Sequence, residues 1–247
     1  ERHTCALDDN GVSCWGWNYY GQTNVPTLFT PTQVVAAFHH ACALDSTGVV
    51  CWGSGDLFIP NLSNPTQLSA GLYHTCALDD TGVVCWGRPN EGQIERATPV
   101  LRNPTDVSVD HGTSICALDD LGVVCWHKDS GANIDIPSEL QQEVGNPTQL
   151  AGARCALHDD GVSCWGYNGY GATDVPTLNN PIYVGHGSGY QSCAIEDTDG
   201  DGDGDNLKCW GYNSYGLGDI PTQLTNPIQV TGGDYHACAL NGPLATD

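Results

Sequence analysis

The chain has 247 residues, with 29 acidic against seven basic side chains and a formal net charge of −22. That balance repels phosphate backbones and argues against nucleic acid as a partner, while it favours solubility and attracts divalent cations. No apolar run is long enough to span a bilayer as a helix, and 13 cysteines in regular pairs point to an oxidising compartment: secreted, periplasmic or cell-surface.

With neither a starting Met nor a signal peptide, the sequence reads as a processed chain or a fragment. It opens at His3-Thr4-Cys5 on a unit, Cys5–Gly16, that recurs as Cys42–Gly53, Cys76–Gly87, Cys116–Trp126 and Cys155–Gly166, then with an insertion as Cys193–Gly211. A half-copy, Cys238-Ala-Leu240, follows. In the third unit Asp79-Asp80-Thr81-Gly82 has the acceptor-rich start and final Gly of a four-residue turn. The strands on either side, Cys76-Ala-Leu78 and Val83-Val-Cys85, then pair so that the two cysteines face each other. Opposed residues on antiparallel strands lie about 4.5–5.5 Å apart at Cα, within disulfide reach. The expected bridges are Cys5–Cys14, Cys42–Cys51, Cys76–Cys85, Cys116–Cys125, Cys155–Cys164 and Cys193–Cys209, with Cys238 left unpaired. Paired zinc ligands usually sit about two to four residues apart, so the nine-residue spacing disfavours zinc.

Between units runs a link: Pro31-Thr-Gln-Val-Val35, Asn64-Pro-Thr-Gln-Leu68, Asn103-Pro-Thr-Asp-Val107, Asn146-Pro-Thr-Gln-Leu150, Asn180-Pro-Ile-Tyr-Val184 and Asn226-Pro-Ile-Gln-Val230. Proline lacks an N–H and restricts its predecessor, so each Asn-Pro reads as a turn that starts a strand. A short outer segment near Gly-Gln-x-x-x-Pro completes the unit. No stretch has useful helical periodicity. Cys-Ala-Leu and Val-Val-Cys-Trp are apolar on both faces, so both faces should be buried. Such hairpins at a spacing of 34 to 45 residues suit a β-propeller with blades packed radially. The expected fold is all-β, with a single propeller domain over residues 1–240 and residues 241–247 as a tail or degenerate closing strand.

The pattern Pro-Thr-Gln-Val…Gly-x-x-His-Thr-Cys-Ala-Leu-Asp-Asp-x-Gly-Val-Val-Cys-Trp-Gly-x-Asn-x-x-Gly-Gln-x-x-Val-Pro resembles the regulator of chromosome condensation repeat family. Its short repeats look most like the secreted bacterial branch, which includes a propeller that inhibits β-lactamase. The resemblance implies a propeller, usually of seven blades, that binds proteins through loop surfaces and carries no implied reaction. Seven strands of the Cys-Ala-Leu type but six of the x-Cys-Trp type leave two closures open, seven blades as the first reading and six as the other.

Four groups of residues are candidates for chemistry. The insertion lengthening the sixth turn carries Asp197, Asp199, Asp201, Asp203 and Asp205 interleaved with Gly, hard oxygen donors that suit a structural Ca²⁺. The Asp pairs at the other turns read as turn chemistry and solubility, with a ring of weak cation sites as the alternative. His3, His40, His74 and His236 precede the first Cys of their units and read as structural. The aromatic loops Trp17-Asn-Tyr19-Tyr20, Tyr167-Asn-Gly-Tyr170 and Tyr212-Asn-Ser-Tyr215 offer rigid amphipathic contact area for a protein or glycan partner. The alternative for these rings is packing against adjacent blades and link strands.

No nucleophile–base arrangement or phosphate loop can be read from the spacing, so an enzyme is not expected. The leading reading is a secreted or cell-surface interaction or structural module presenting loops, within a larger extracellular assembly or self-assembling through Cys238. The alternatives are a proteinaceous inhibitor of a secreted hydrolase and a calcium-assisted glycan-binding protein. Asn61-Leu-Ser63 is a glycosylation sequon.

Overall fold

A computed structural model describes residues 3–54, 58–87, 98–186, 190–213, 216, 219–233 and 236–242. Among them the strands form seven antiparallel sheets. The first is the hairpin β1 (His3–Asp8) and β2 (Gly11–Gly16). Five three-stranded sheets follow, each a link strand and a hairpin. They are β3–β5 (Gln33–Ala36, His40–Asp45, Gly48–Gly53), β6–β8 (Gln67–Ala70, His74–Asp79, Gly82–Gly87), β9–β11 (Asp106–Val109, Ser114–Asp119, Gly122–His127), β12–β14 (Gln149–Ala151, Cys155–His158, Gly161–Cys164) and β15–β17 (Pro181–His186, Gln191–Glu196, Asn206–Gly211). The seventh pairs β18 (Pro227–Gly232) with β19 (Ala237–Asn241). The outer Gly-Gln-x-x-x-Pro segments form no strand among the described residues. The chain divides into two compact units, Glu1–Asp120 with Val124–Asp135, and Leu121–Val123 with Ile136–Asp247.

Outside the sixth hairpin, whose loop runs from Glu196 to Asn206, the turns close as the four-residue pattern expects. Asp79 pairs with Gly82, so the loop is Asp80-Thr81 alone, and Gly82 stands at φ +116°. An L side chain is strained there, which is why glycine recurs at that place as Gly11, Gly48, Gly122 and Gly161. The register sets Cys76 opposite Cys85, and its equivalents likewise. Disulfides join Cys5–Cys14, Cys42–Cys51, Cys76–Cys85, Cys116–Cys125, Cys155–Cys164 and Cys193–Cys209, with Cα separations of 4.0–4.1 Å. Cys238 lies half-buried on β19, in register with Thr231.

The Asn before the link proline is left-handed in four of the six links, with φ of 47–52° at Asn64, Asn103, Asn146 and Asn180. Asn tolerates that region better than other side chains. The second turn carboxylate then holds the Asn amide: Asn103 Nδ2 donates to Asp120 at 2.7 Å, Asn146 to Asp159 at 3.2 Å and Asn180 to Asp197 at 3.2 Å. In the first link Thr30 takes the same conformation at φ 46°.

The apolar residues on both strand faces have a packing reason. Within the first unit, Ala41, Ala43 and Trp52 lie on Cys5, Val12 and Cys14 of the sheet before, while Cys42 and Leu44 meet Leu68, Ala77 and Trp86 of the sheet after. The same Cys/Leu face against an Ala/Trp face recurs at Cys76 and Leu78 on Ala117 and Trp126. In the second unit it recurs at Cys155 on Ala194 and Trp210. The expectation of full burial fails in the two-stranded sheets: Trp15 is 53% exposed and Leu240 51%, against 1–8% for the other hairpin tryptophans. Sheets within a unit are also tied at their link strands. Gln33 donates to the Leu68 carbonyl and accepts its N–H at 2.9 and 2.7 Å, Gln67 accepts from Val107 at 3.0 Å, and Gln149 accepts from Val184 at 3.1 Å.

A helical excursion follows Pro137, a 3-10 turn at Ser138–Leu140 and the short α1 (Gln142–Gly145), and a second 3-10 turn lies at Gly169–Gly171. A Cβ at Gly122 would fall 2.3 Å from the Leu140 carbonyl, so this excursion needs glycine there. No helix among the described residues is long and apolar enough to cross a membrane.

Candidate functional site

The turn carboxylates are occupied by the backbone. Oδ2 of Asp45, Asp79 and Asp119 accepts the N–H of Phe29, Ser63 and Arg102 in the turn before the link, at 2.8, 2.8 and 3.0 Å. Oδ1 of Asp45 and Asp79 caps its own hairpin through Thr47 and Thr81 N–H at 2.7 Å. The Thr47 hydroxyl and the Phe29 N–H hold Asp45 below the usual carboxylate range. At Asp79 burial works the other way, but the Thr81 and Ser63 bonds outweigh it and the carboxyl is also lowered. Glu196 fills the same role in the sixth hairpin, accepting from Asn179 N–H at 2.5 Å and Lys208 Nζ at 2.9 Å. Burial opposes its ionisation, and these bonds with that of Asn206 carry it below the usual range. The first carboxylate of each of these turns is therefore a clamp, as turn chemistry expects, rather than a free cation ligand.

In the fifth hairpin the clamp position holds His158. Its Nδ1 accepts the Asp160 N–H at 3.3 Å, its Nε2 lies 2.9 Å from Ser163 Oγ, and that hydroxyl lies 3.3 Å from Glu139 Oε1. This Ser–His–Glu group was not visible in the sequence spacing, because Glu139 arrives on the excursion after Pro137. With Nδ1 accepting, Nε2 carries the proton and donates to Ser163, whose hydroxyl donates to Glu139. A nucleophilic serine needs the reverse polarity, with the imidazole accepting from the hydroxyl.

His3, His40 and His74 are 2–4% exposed, and His40 Nε2 lies 2.8 Å from the buried Thr75 hydroxyl. Burial, then the nearby Lys128, pulls the His74 pKa down from 6.5 to about 4. His236 is half-buried.

In the sixth turn, carboxylate atoms of Asp197, Asp199 and Asp205 lie within 4.8 Å of one another. Asp201 and Asp203 stand outside that group, and Asp201 Oδ1 caps the Asp203 N–H at 2.9 Å. Asp197 folds the loop by accepting from Gly200 and Gly202 N–H at 2.6 and 3.1 Å, and Asp205 accepts from Thr198 N–H at 2.6 Å. The Asp201 N–H lowers Asp199, but desolvation and the carboxylates of Asp201, Asp205 and Asp197 together leave it raised. The Thr198 hydroxyl lowers Asp205.

The aromatic loops are built, not loose. Asn18 Oδ1 accepts the Thr23 N–H and its Nδ2 donates to Asn24, both at 2.9 Å; Asn168 does the same with Thr173 and Asp174 at 3.0 and 2.8 Å. The indole of the following hairpin anchors each loop from below, Trp52 to the Gln22 carbonyl at 2.8 Å and Trp210 to that of Ala172 at 3.2 Å. On the first loop Trp17 and Tyr19 are nearly parallel, with Tyr20 at 89° to both. His39 joins them 4.5 Å from Tyr20, and Phe38 and Tyr73 extend the group. In the second unit Tyr167 and Tyr170 meet Tyr190, Tyr170 meets Tyr212, and the Arg154 guanidinium lies 5.1 Å over the Tyr190 ring. Tyr19, Tyr167 and Tyr170 remain 65–78% exposed. The sequence reading missed His39, Tyr73 and Tyr190, although each stands three residues before the first cysteine of its hairpin. Tyr215 lies outside the described residues.

The model of the regulator of chromosome condensation (RCC1) repeat matches residues 1–22 and 66–93. No curated protein sequence matches the chain. Among solved structures, the entire ectodomain of the receptor kinase CR4 from Physcomitrella patens is similar, with a TM-score of 0.73 at 20% identity over 98% of this chain and 67% of that one. The CRINKLY WD40 ectodomain of Arabidopsis thaliana ACR4 gives 0.69 at 20% identity, over 98% and 87%. Prp20p of Saccharomyces cerevisiae, studied for its binding to Gsp1p and histones, gives 0.70 at 18% identity, over 96% and 80%. These likenesses show the fold: the chain is an all-β propeller whose residues 1–22 and 66–93 match the RCC1 repeat, and its seven sheets agree with about seven blades.

Proposed function

We propose that this propeller of RCC1 repeats is a secreted or cell-surface interaction module without enzymatic activity, which binds a protein partner through its aromatic loops. The observation that carries the reading is the pair of exposed tyrosine clusters, each on an Asn-organised loop anchored by the next hairpin's tryptophan. Rigid aromatic side chains of this kind supply contact area at low entropic cost and dominate binding hot spots. Six disulfides support an oxidising location, and the receptor-kinase ectodomains that resemble the chain in fold are consistent with one. The hydrogen-bond polarity at Ser163 speaks against a hydrolytic serine. Inhibition of a secreted hydrolase is one form such binding could take. To test the reading, a photo-crosslinking residue would be placed at Tyr20, at Tyr170 and, as a control, at the exposed Phe58 on cells of the source organism. A recurrent adduct from Tyr20 or Tyr170 but not Phe58 supports the proposal; no adduct, or equal labelling from all three, sinks it.

The carboxylates of Asp197, Asp199 and Asp205 would hold Ca²⁺ and stiffen the sixth turn, a role that would also serve a glycan-binding surface. Three converging oxygen donors fit a hard cation. Calorimetric titration with Ca²⁺ should show a site lost in Asp199→Asn, and no heat from wild type would remove calcium from the account.

A further inference from the structure

We infer that the partner met by the first aromatic cluster is a basic polypeptide, whose arginine or lysine side chains seat on Trp17, Tyr19 and Tyr20; this rests on the binding reading above. Trp17 and Tyr19 lie 10° from parallel with centroids 6.0 Å apart, and Tyr20 stands at 89° to both, 5.5 and 4.9 Å away. Rings in two orthogonal orientations at one spot give a cation ring-face quadrupole on more than one side, as a flat stack does not. Tyr19 is 78% exposed and Tyr20 39%, so the corner opens to solvent. The chain itself shows the chemistry in its second unit, where the Arg154 guanidinium lies 5.1 Å over Tyr190. Tyr190 precedes Cys193 by three residues, the place that His39 occupies against Tyr20 in the first cluster. Long-range charge points the same way: a net −22 steers cationic partners in and turns anionic ones away.

The test uses the whole protein and labelled octapeptides of alternating Gly with Arg, Lys or Gln, followed by fluorescence anisotropy in about 0.15 M salt, where long-range charge is largely screened. Wild type should bind the Arg peptide more tightly than the Lys peptide, and both more tightly than the Gln peptide. Tyr19→Ser/Tyr20→Ser should weaken the Arg peptide about tenfold, as loss of two solvent-exposed ring contacts implies, and Phe58→Ser should leave it unchanged. Both sites are exposed, so these variants should fold, and unchanged peptide-mapped disulfides would verify it. Equal binding by wild type and the double variant would mean diffuse charge attraction and overturn the inference. A Tyr20 crosslink that excess Arg peptide fails to displace would point to a neutral protein or glycan partner, refuting the cationic assignment while leaving the binding reading intact. Absence of both crosslink and peptide binding would remove both.

Discussion

Asp79→Asn separates a carboxylate clamp from an ordinary surface acid. Asp79 is 8% exposed and uses both oxygens: Oδ1 takes the Thr81 N–H and hydroxyl at 2.7 Å each, and Oδ2 takes the Ser63 N–H at 2.8 Å. An amide of the same shape keeps one oxygen and turns an NH₂ against a backbone donor. A hydrogen bond to a charged group contributes about 1.5–3 kcal/mol, and a buried donor left without an acceptor costs about 1–3 kcal/mol. With one side of the clamp lost, the substitution should destabilise by about 2–4 kcal/mol, the two figures overlapping rather than adding. Asp80 is exposed, its contacts to Ser63 and Asn64 are 3.4 Å, and Asp80→Asn should stay within about 0.5 kcal/mol of wild type. Urea unfolding followed by tryptophan fluorescence, compared at common slope, reads both. The pH dependence has a definite sign. The Asp79 pKa is depressed in the fold, so its contribution is complete above the unfolded value of 3.8 and is lost as pH falls through the lower folded value. Asp79→Asn should lack that acid-range loss. A cost below about 0.5 kcal/mol, or an equal cost for Asp80→Asn, would refute the clamp.

The remaining expectations are briefer. His74 is neutral in the fold with a pKa near about 4 against 6.5 unfolded, so stability should fall as pH drops from 6.5 to about 4, totalling roughly 3 kcal/mol. His74→Gln should flatten the stability profile in that window, and parallel profiles for the two proteins would contradict the burial argument. Thr30 is a β-branched residue at φ 46° where the other links use Asn, so Thr30→Asn should stabilise by about 1 kcal/mol, with an unchanged or lower thermal midpoint counting against strain there. Replacing Cys76 and Cys85 together by Ser opens a loop of nine-residue separation and should cost about 2–3 kcal/mol by chain entropy, measured in the same urea assay.

The sequence disclosed what is local. The nine-residue cysteine spacing, the turn glycine and the Asp that starts the turn lie within one hairpin, so period and turn chemistry suffice to place them. The Gln33 bridge and the Gln67 bond to Val107 N–H were hidden because those partners are backbone atoms some 35–40 residues away, which have no side-chain signature. His39, Tyr73 and Tyr190 were missed because each joins the loop of the preceding repeat or a neighbouring ring, not residues beside it in sequence. The left-handed Asn before proline shows a different limit. The proline marked the turn, but proline bias alone favours extended backbone for its predecessor, and the Asp–Asn bond that accompanies the other conformation spans 13–17 residues.

The disulfides never cross from one sheet to another. Each closes inside a single hairpin, while neighbouring sheets within a unit hold together by side-chain packing and by non-covalent side-chain bonds such as those of Gln33, His40 and Gln149. Duplicating or deleting a whole repeat therefore adds or removes one complete cysteine pair and orphans no thiol elsewhere. During oxidation each cysteine meets its correct mate first, since the mate is the nearest along the chain, so scrambled isomers are kinetically disfavoured. Repeat number in such a lineage can drift without redesign of its redox chemistry, leaving the loops free to diversify.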